Sequence, residues 1–232
     1  MRIALGSSIL ASIAEKLQID NPNISVLGRP GATLDIGCFL PELNWVESEE
    51  VTEVLLLFLG GNDLLAGKSI RKGGKIHYHR HLRRKLLNVE ECVLKYNVLI
   101  DELKSRFKKA TFKICVPLAR RCFAPQFTKS HSLMCSECLN FNALSKVESL
   151  EKSLKFFFKA DEKVEILSSK RLHKFVYIRK KPRPSKGWIR FAGKNIENLQ
   201  HVYSELLSTR DQIHLSPKGK NLLVSFLKKS VI

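Results

Sequence analysis

Six consecutive apolar residues, Val54 to Leu59, sit between Glu53 and the pair Gly60-Gly61. A strand with one wet face alternates polar and apolar residues. A run that never alternates is buried on both faces, as central strands of parallel sheets are. Parallel strands cannot be joined by tight turns, so this one segment commits the chain to long crossover connections, usually helical.

The rest of the sequence supplies them. Arg2 to Leu5 reads as a buried strand ending at Gly6. Ile9, Leu10, Ile13, Ala14 and Leu17 then fall at helical spacing over Ser8 to Leu17. Ile24 to Leu27 is a second strand, stopped by Gly28-Arg29-Pro30-Gly31, and Leu34 to Leu43 has the length of a short helix. Asn88 to Lys109 is a long amphipathic helix with Val89, Cys92, Val93, Tyr96, Leu99, Ile100, Leu103 and Phe107 on its apolar stripe. Thr111 to Val116 is a fourth strand, Leu139 to Phe158 a helix and Val164 to Leu167 a fifth strand. A final helix, Pro217 to Lys229, has Ser216 as its N-cap.

This order predicts a three-layer α/β/α sandwich with a mostly parallel five-stranded sheet. All 232 residues are expected to form one domain with basic insertions at about 65–87 and 170–210. No run of about 18 apolar residues is present, so no transmembrane helix is expected. The opening Met1 to Ala14 has the outline of a signal peptide, but Gly6, Ser7 and Ser8 interrupt its apolar run. A strand, a tight turn and a helix explain it better, with an intracellular protein as the expectation.

Charge is unevenly placed. The chain carries 40 Lys and Arg against 22 Asp and Glu, a formal +18. Lys68 to Lys85 and Lys170 to Lys194 together hold 18 of those cations and no acid, so the remainder is balanced. Gly67, Gly73 and Gly74 in the first segment and Pro182, Pro184 and Gly187 in the second read as loop punctuation. In the second, Phe175, Tyr177, Trp188 and Phe191 are interleaved with Arg179, Lys180, Lys181, Arg183 and Arg190. Cations follow phosphates and aromatic faces stack on bases, a mixture suited to single-stranded RNA or another polyanion. The plain alternative is a pair of solvated basic loops.

Cys38, Cys92 and Cys115 lie among apolar neighbours and read as small core residues. Cys122, His131, Cys135 and Cys138 could surround a zinc ion, although free thiols in a substrate-side loop are the simpler reading of one Cys-x2-Cys pair. His77, His79 and His81 alternate as on an extended segment, and a basic loop is preferred to a metal site. No cofactor is expected.

Four short blocks follow the strands. They are Gly6-Ser7-Ser8, then Gly28 to Thr33, then Gly60-Gly61-Asn62-Asp63-Leu64, and finally Asp211 to Gly219 with His214 inside it. Ligands in open parallel sheets bind beyond the carboxyl ends of the strands, where these blocks fall. In this order the blocks resemble those of the SGNH hydrolases, the GDSL-type esterases and lipases, over nearly the whole chain. The resemblance implies a flavodoxin-like sheet and acyl-transfer chemistry on a small ester. Ser8 would be the nucleophile, His214 the general base and then acid, and Asp211 the group that orients the imidazole. Oxyanion donors would be the backbone N–H of Ser8, that of Gly31 (with Gly28 as the alternative glycine) and the side-chain amide of Asn62.

The sequence departs from the family at Ser7, where an Asp is usual, which implies weaker support for the first block. Two functional readings follow. One is a serine esterase acting on small carboxylic esters, acetyl esters among them. The other is an SGNH-like domain with little or no activity that binds RNA or another polyanion through its basic loops. SGNH-type domains encoded by some retrotransposons resemble this chain in triad and charge. Substrate choice would lie in 65–87, 118–138 and 170–210.

Overall fold

The computed structural model describes residues 1–64, 68–72, 75–79, 86–118, 143–168 and 215–230. Strands β1 (Arg2–Gly6), β2 (Ile24–Gly28) and β3 (Glu53–Leu57) are followed by a separate pair, β4 (Lys68–Lys72) and β5 (Lys75–His79). Strands β6 (Thr111–Cys115) and β7 (Val164–Ile166) complete the set. The main sheet has the order β2-β1-β3-β6-β7, and every pairing in it is parallel. This is the flavodoxin-like α/β arrangement the sequence implies. The apolar run Val54 to Leu59 is wholly buried, as are Ile3, Ala4 and Leu5 of β1.

The helices are α1 (Ser8–Ala11), α2 (Ala14–Asp20), α3 (Leu40–Leu43), α4 (Gly61–Leu64), α5 (Val89–Arg106), α6 (Ala143–Phe157) and α7 (Pro217–Ser230). From β1 the chain crosses to β2 on one side; from β3 it crosses to β6 on the other. Right-handed crossovers in opposite directions put their helices on opposite faces of the sheet. Accordingly α2 meets α7, with Lys16 Nζ 2.5 Å from Asn221 Oδ1 and Lys228 Nζ 2.5 Å from Asp20. On the other face α5 packs beside α6.

Some elements differ from expectation for local reasons. The first helix breaks in two: Ser12 Oγ donates to the carbonyl of Ile9 at 2.8 Å, and the Ile13 N–H bonds back to Leu10 at 3.0 Å. A side-chain bond to the preceding turn competes with the helical ladder. The apolar stripe survives the break, because Ile9, Leu10, Ile13 and Leu17 are all buried. Residues 34–43 form two short pieces, a 3-10 turn at Ile36–Cys38 capped by Asp35 and then α3 with Pro41 in its first turn. The long helix is α5, opened by a reciprocal capping box in which Asn88 and Glu91 each accept from the other's backbone at 2.8 Å.

The first basic segment is the larger correction. Its residues 68–72 and 75–79 pair as antiparallel strands and do not form a loop, with Lys68 opposite His79 and Lys72 opposite Lys75. Two residues, Gly73-Gly74, separate the paired ends. A Gly-Gly pair between runs containing Ile70, Ile76 and Tyr78 is itself a hairpin signal. The density of charge conceals it. His77 and His79 belong to β5, while His81 lies outside the described residues.

Candidate active site

The strand order reverses between β1 and β3, so their carboxyl ends border the crevice where an open sheet binds ligands. Ser8 begins α1 at the end of β1, and Asn62 lies in α4 just beyond β3. Two glycines bring α1 close to the sheet. A Cβ on Gly6 would lie 2.5 Å from the Leu57 carbonyl and 2.7 Å from Leu10, and one on Gly28 would lie 2.3 Å from the Ala11 nitrogen. Side-chain atoms do not approach backbone so closely, so both positions exclude anything larger than glycine.

Ser7 is fully buried in an extended conformation and its carbonyl accepts the first helical bond, from Ala11 at 3.0 Å. Its hydroxyl does not cap α1; it donates to the carbonyl of Phe58 at 3.2 Å. The residue that stands where the SGNH hydrolases have Asp therefore ties the first block to the chain between β3 and the third block. Ser8 follows it, half-buried. Because α1 has four residues, Ser8 sits among the N–H groups of one turn and not at the end of a long dipole.

The second block is a type II turn. Ala32 donates to the Arg29 carbonyl at 3.2 Å, Pro30 holds the second position and Gly31 the third at φ +80°. Among the described residues, its two chain neighbours aside, no heavy atom lies within 4 Å of the place a Gly31 Cβ would occupy, so this glycine has open space before it. Gly28, by contrast, is packed against α1. The turn is fixed to β1 by the Arg29 N–H on the Gly6 carbonyl at 2.9 Å. The Arg29 guanidinium binds Glu42 and holds its carboxyl below the usual range.

The third block carries unusual backbone. Phe58 has φ +60° and Gly60 φ +77°, so β3 stops at Leu57 although the apolar run continues. A bulky residue in the left-handed region is strained and persists only where its surroundings hold it. Here Ser7 holds the Phe58 carbonyl, and the buried Tyr96 hydroxyl donates to the next one, Leu59, at 2.9 Å. Burial drives the Tyr96 hydroxyl well above its ordinary pKa, so it remains a donor. Asn62 Nδ2 then donates to the Ala32 carbonyl at 2.9 Å, and Asp63 Oδ2 accepts the Leu34 N–H at 3.1 Å. The Asp63 carbonyl accepts the N–H of Leu87 at 3.0 Å. Asn62 and Asp63 are thus placed in a short helix and not in a simple turn.

Asp211 and His214 lie outside the described residues, as do Arg179, Lys180, Lys181, Arg183, Trp188 and Arg190 and the group Cys122, His131, Cys135 and Cys138. The residue after His214, Leu215, is buried, and Ser216 Oγ caps α7 by accepting from the Gly219 N–H at 3.1 Å. Helix α7 runs alongside α2 in the same direction, Asn221 against Lys16 and Lys228 against Asp20. Since α2 runs away from the end of β1, the start of α7 lies toward the carboxyl ends of the strands.

Cys92 and Cys115 are buried, and desolvation pushes each thiol up to about 12, with the Asp63 carboxylate adding to the effect at Cys92. A protonated, enclosed thiol is a poor nucleophile. Cys38 differs from the core placement read for it: it is half-buried, with its sulfur 3.6 Å from Thr33 Oγ1. Among the described residues no cluster of His, Cys, Asp and Glu could hold a metal, and no helix is long and apolar enough to cross a membrane.

The roles of Ser7 and Tyr96 escape a reading by pattern. Ser7 reads as a missing acid, and Tyr96 as one member of an apolar stripe. The signal for Tyr96 is general: a tyrosine on a fully buried stripe must find a partner for its hydroxyl.

No family model matches this chain, and no curated protein matches it. Solved structures do. A proposed platelet activating factor from Streptococcus pneumonia is similar at TM-score 0.58 and 16% identity, over 98% of this chain and 82% of that one. A proposed acylhydrolase from Bacteroides fragilis is similar at TM-score 0.55 and 13% identity, over 98% and 84%. A GDSL-like lipase from Bacteroides thetaiotaomicron is similar at TM-score 0.54 and 14% identity, over 98% and 85%. At such identities the likeness establishes the fold alone, and the fold is that of the SGNH hydrolases.

Proposed function

We propose that this SGNH-fold chain is a serine esterase that hydrolyses small carboxylic esters, acetyl esters among them. One observation carries the reading. The three blocks around Ser8 and the residues flanking them are bound to one another by four hydrogen bonds: Arg29 to Gly6 and Asn62 to Ala32 between blocks, Ser7 to Phe58 just before the third block and Leu34, just after the second, to Asp63. A packed sheet needs no such cross-bracing at the tips of its strands. A reacting centre does, because catalytic donors act only when held in place beforehand.

In this reading Ser8 Oγ attacks the ester carbonyl while His214 takes its proton. Asp211 accepts from the other ring nitrogen and fixes the tautomer. The carbonyl oxygen, now negative, is met by the N–H groups of Ser8 and Gly31 and the amide of Asn62, each worth about 3–4 kcal/mol of barrier. His214 returns the proton to the departing alcohol, and water then cleaves the acyl-serine by the same route. The open space at Gly31 suits a backbone donor that must lie against substrate.

The test is hydrolysis of a short-chain aryl ester by the purified protein, beside Ser8→Ala and His214→Ala. Each variant is expected to lose roughly 10⁴-fold or more in kcat while melting like the parent. Equal rates for all three proteins would overturn the reading.

A further inference from the structure

Helices α5 and α6 cover the same face of the sheet, and because each joins two parallel strands they run in the same direction. Their inner sides supply Cys92, Tyr96, Leu99 and Leu103 from α5 and Val147, Leu150 and Leu154 from α6, all buried. Lys104 of α5 also binds Asp161, just past the end of α6. Eight large apolar side chains are exposed among the described residues, and four of them lie on the outer side of this helix pair: Leu94 (60%) and Val98 (56%) on α5, Phe156 (83%) and Phe157 (46%) on α6. Leu94 and Val98 stand one turn apart and so share a face. Leu94, Phe156 and Phe157 line one open cleft between the helices, of about 460 Å³. Single exposed apolar residues are ordinary on a protein surface; a contiguous group marks a contact surface.

The charges beside the cleft differ between the two helices. The exposed charged residues of α5 are Glu90, Glu91, Lys95, Asp101 and Glu102, four acids and one base. Those of α6 are Glu148, Lys152 and Lys155, one acid and two bases, and Lys159 in the turn that follows adds a third base. The apolar group therefore lies between an acidic helix and a basic one, an apolar centre with a charged rim. A closed homodimer needs a patch that complements itself. A two-fold axis running along the helices provides this, because it sets α5 of one copy on α6 of the other, acid on base at both contacts. An axis across the helices would instead set α5 on α5, acid on acid. The four acids also count against an anionic lipid surface, which favours a uniformly basic rim.

We propose that the α5–α6 face is the interface of a homodimer, in which Leu94, Val98, Phe156 and Phe157 of one copy pack on those of a second, and the acidic α5 of each meets the basic α6 of the other. Burial of the apolar group supplies the attraction. The paired flanks set the direction of the axis and suppress other pairings. This interface is independent of the esterase reading, since it uses no residue of the strand-end blocks.

The test is sedimentation velocity of the full chain over a concentration series. The parent is expected to pass from one copy to two as concentration rises. Phe156→Glu should weaken the dimer about tenfold or more, because it sets a charge in the apolar centre. Ile19→Glu is the control: Ile19 is 74% exposed on α2, on the opposite face of the sheet, so the dissociation constant should move by less than about twofold. Glu90→Lys with Glu102→Lys leaves both flanks basic, and Lys152→Glu with Lys159→Glu leaves both acidic. Each double variant alone should dimerise about tenfold more weakly in low salt, while an equimolar mixture of the two should recover the parent's affinity as a heterodimer. All five positions are exposed, and unchanged thermal melting of the monomer would confirm that each variant folds. A parent that stays single at every concentration, or a dimer indifferent to Phe156→Glu and to the charge reversals, overturns the proposal. So does a single-copy parent that floats with vesicles of phosphatidylcholine and phosphatidylserine and loses them with Phe156→Glu, which would assign the face to a membrane.

Discussion

The tips of β1 and β3 and the hairpin that follows them are neighbours in sequence and opposites in construction. At the tips, Gly6, Ser7, Phe58, Leu59, Asn62 and Asp63 each make a hydrogen bond to another segment of the chain, and two glycines leave no space for adjustment. In the hairpin, the strands pair with each other, and the bond of Leu87 to Asp63 ties the excursion back to the body. In the esterase reading proposed above the difference has a reason: acyl transfer fails when a donor shifts by a fraction of an ångström, so the strand tips need an over-determined backbone that a paired hairpin does not.

That contrast can be broken by substitution. The largest effect is expected at Gly28→Ala, where the new Cβ meets Ala11 backbone at 2.3 Å and neither side can yield cheaply. A loss of about 3 kcal/mol in chemical denaturation is expected, with activity falling as Ser8 is displaced. Gly31→Ala is the companion: it has room, and its φ of +80° should cost only about 1 kcal/mol. Equal losses at the two positions would show that the tight contact does not set the position of α1.

Next come the two hydroxyls on the strained turn. Ser7→Ala strips the buried Phe58 carbonyl of its donor at an expected cost of about 2 kcal/mol, and Tyr96→Phe does so at Leu59 for about 1 kcal/mol. If these bonds position Asn62, kcat should fall several-fold in both while KM for a short ester holds. Lowered stability with unchanged kcat would reduce them to structural supports.

What the sequence makes legible divides along the same line. Unbroken apolar runs mark β1 and β3 because burial on both faces leaves no alternative, and the periodic stripe marks α5 because its apolar face is continuous. The blocks after the strands stand out because Gly, Asn and Ser at strand ends have few reasons to cluster. The break at Ser12 is hidden, since the apolar spacing runs straight through it. The left-handed turn at Phe58 is hidden too: a hydrophobic residue gives no sign that its backbone is strained. Nor does the pairing of β4 with β5 stand out, because charge dominates the two runs that flank Gly73-Gly74.

Leu87 has a consequence of its own. It is followed at once by Asn88, which caps α5, and Tyr96 lies about two turns along that helix. Ten residues, 87–96, therefore hold the carbonyls of both Asp63 and Leu59. In mechanical terms this stretch is a lever. A helix stiffened by its capping box transmits displacement along its axis, so a displacement at Leu87 is felt at the two carbonyls on either side of Asn62, those of Leu59 and Asp63.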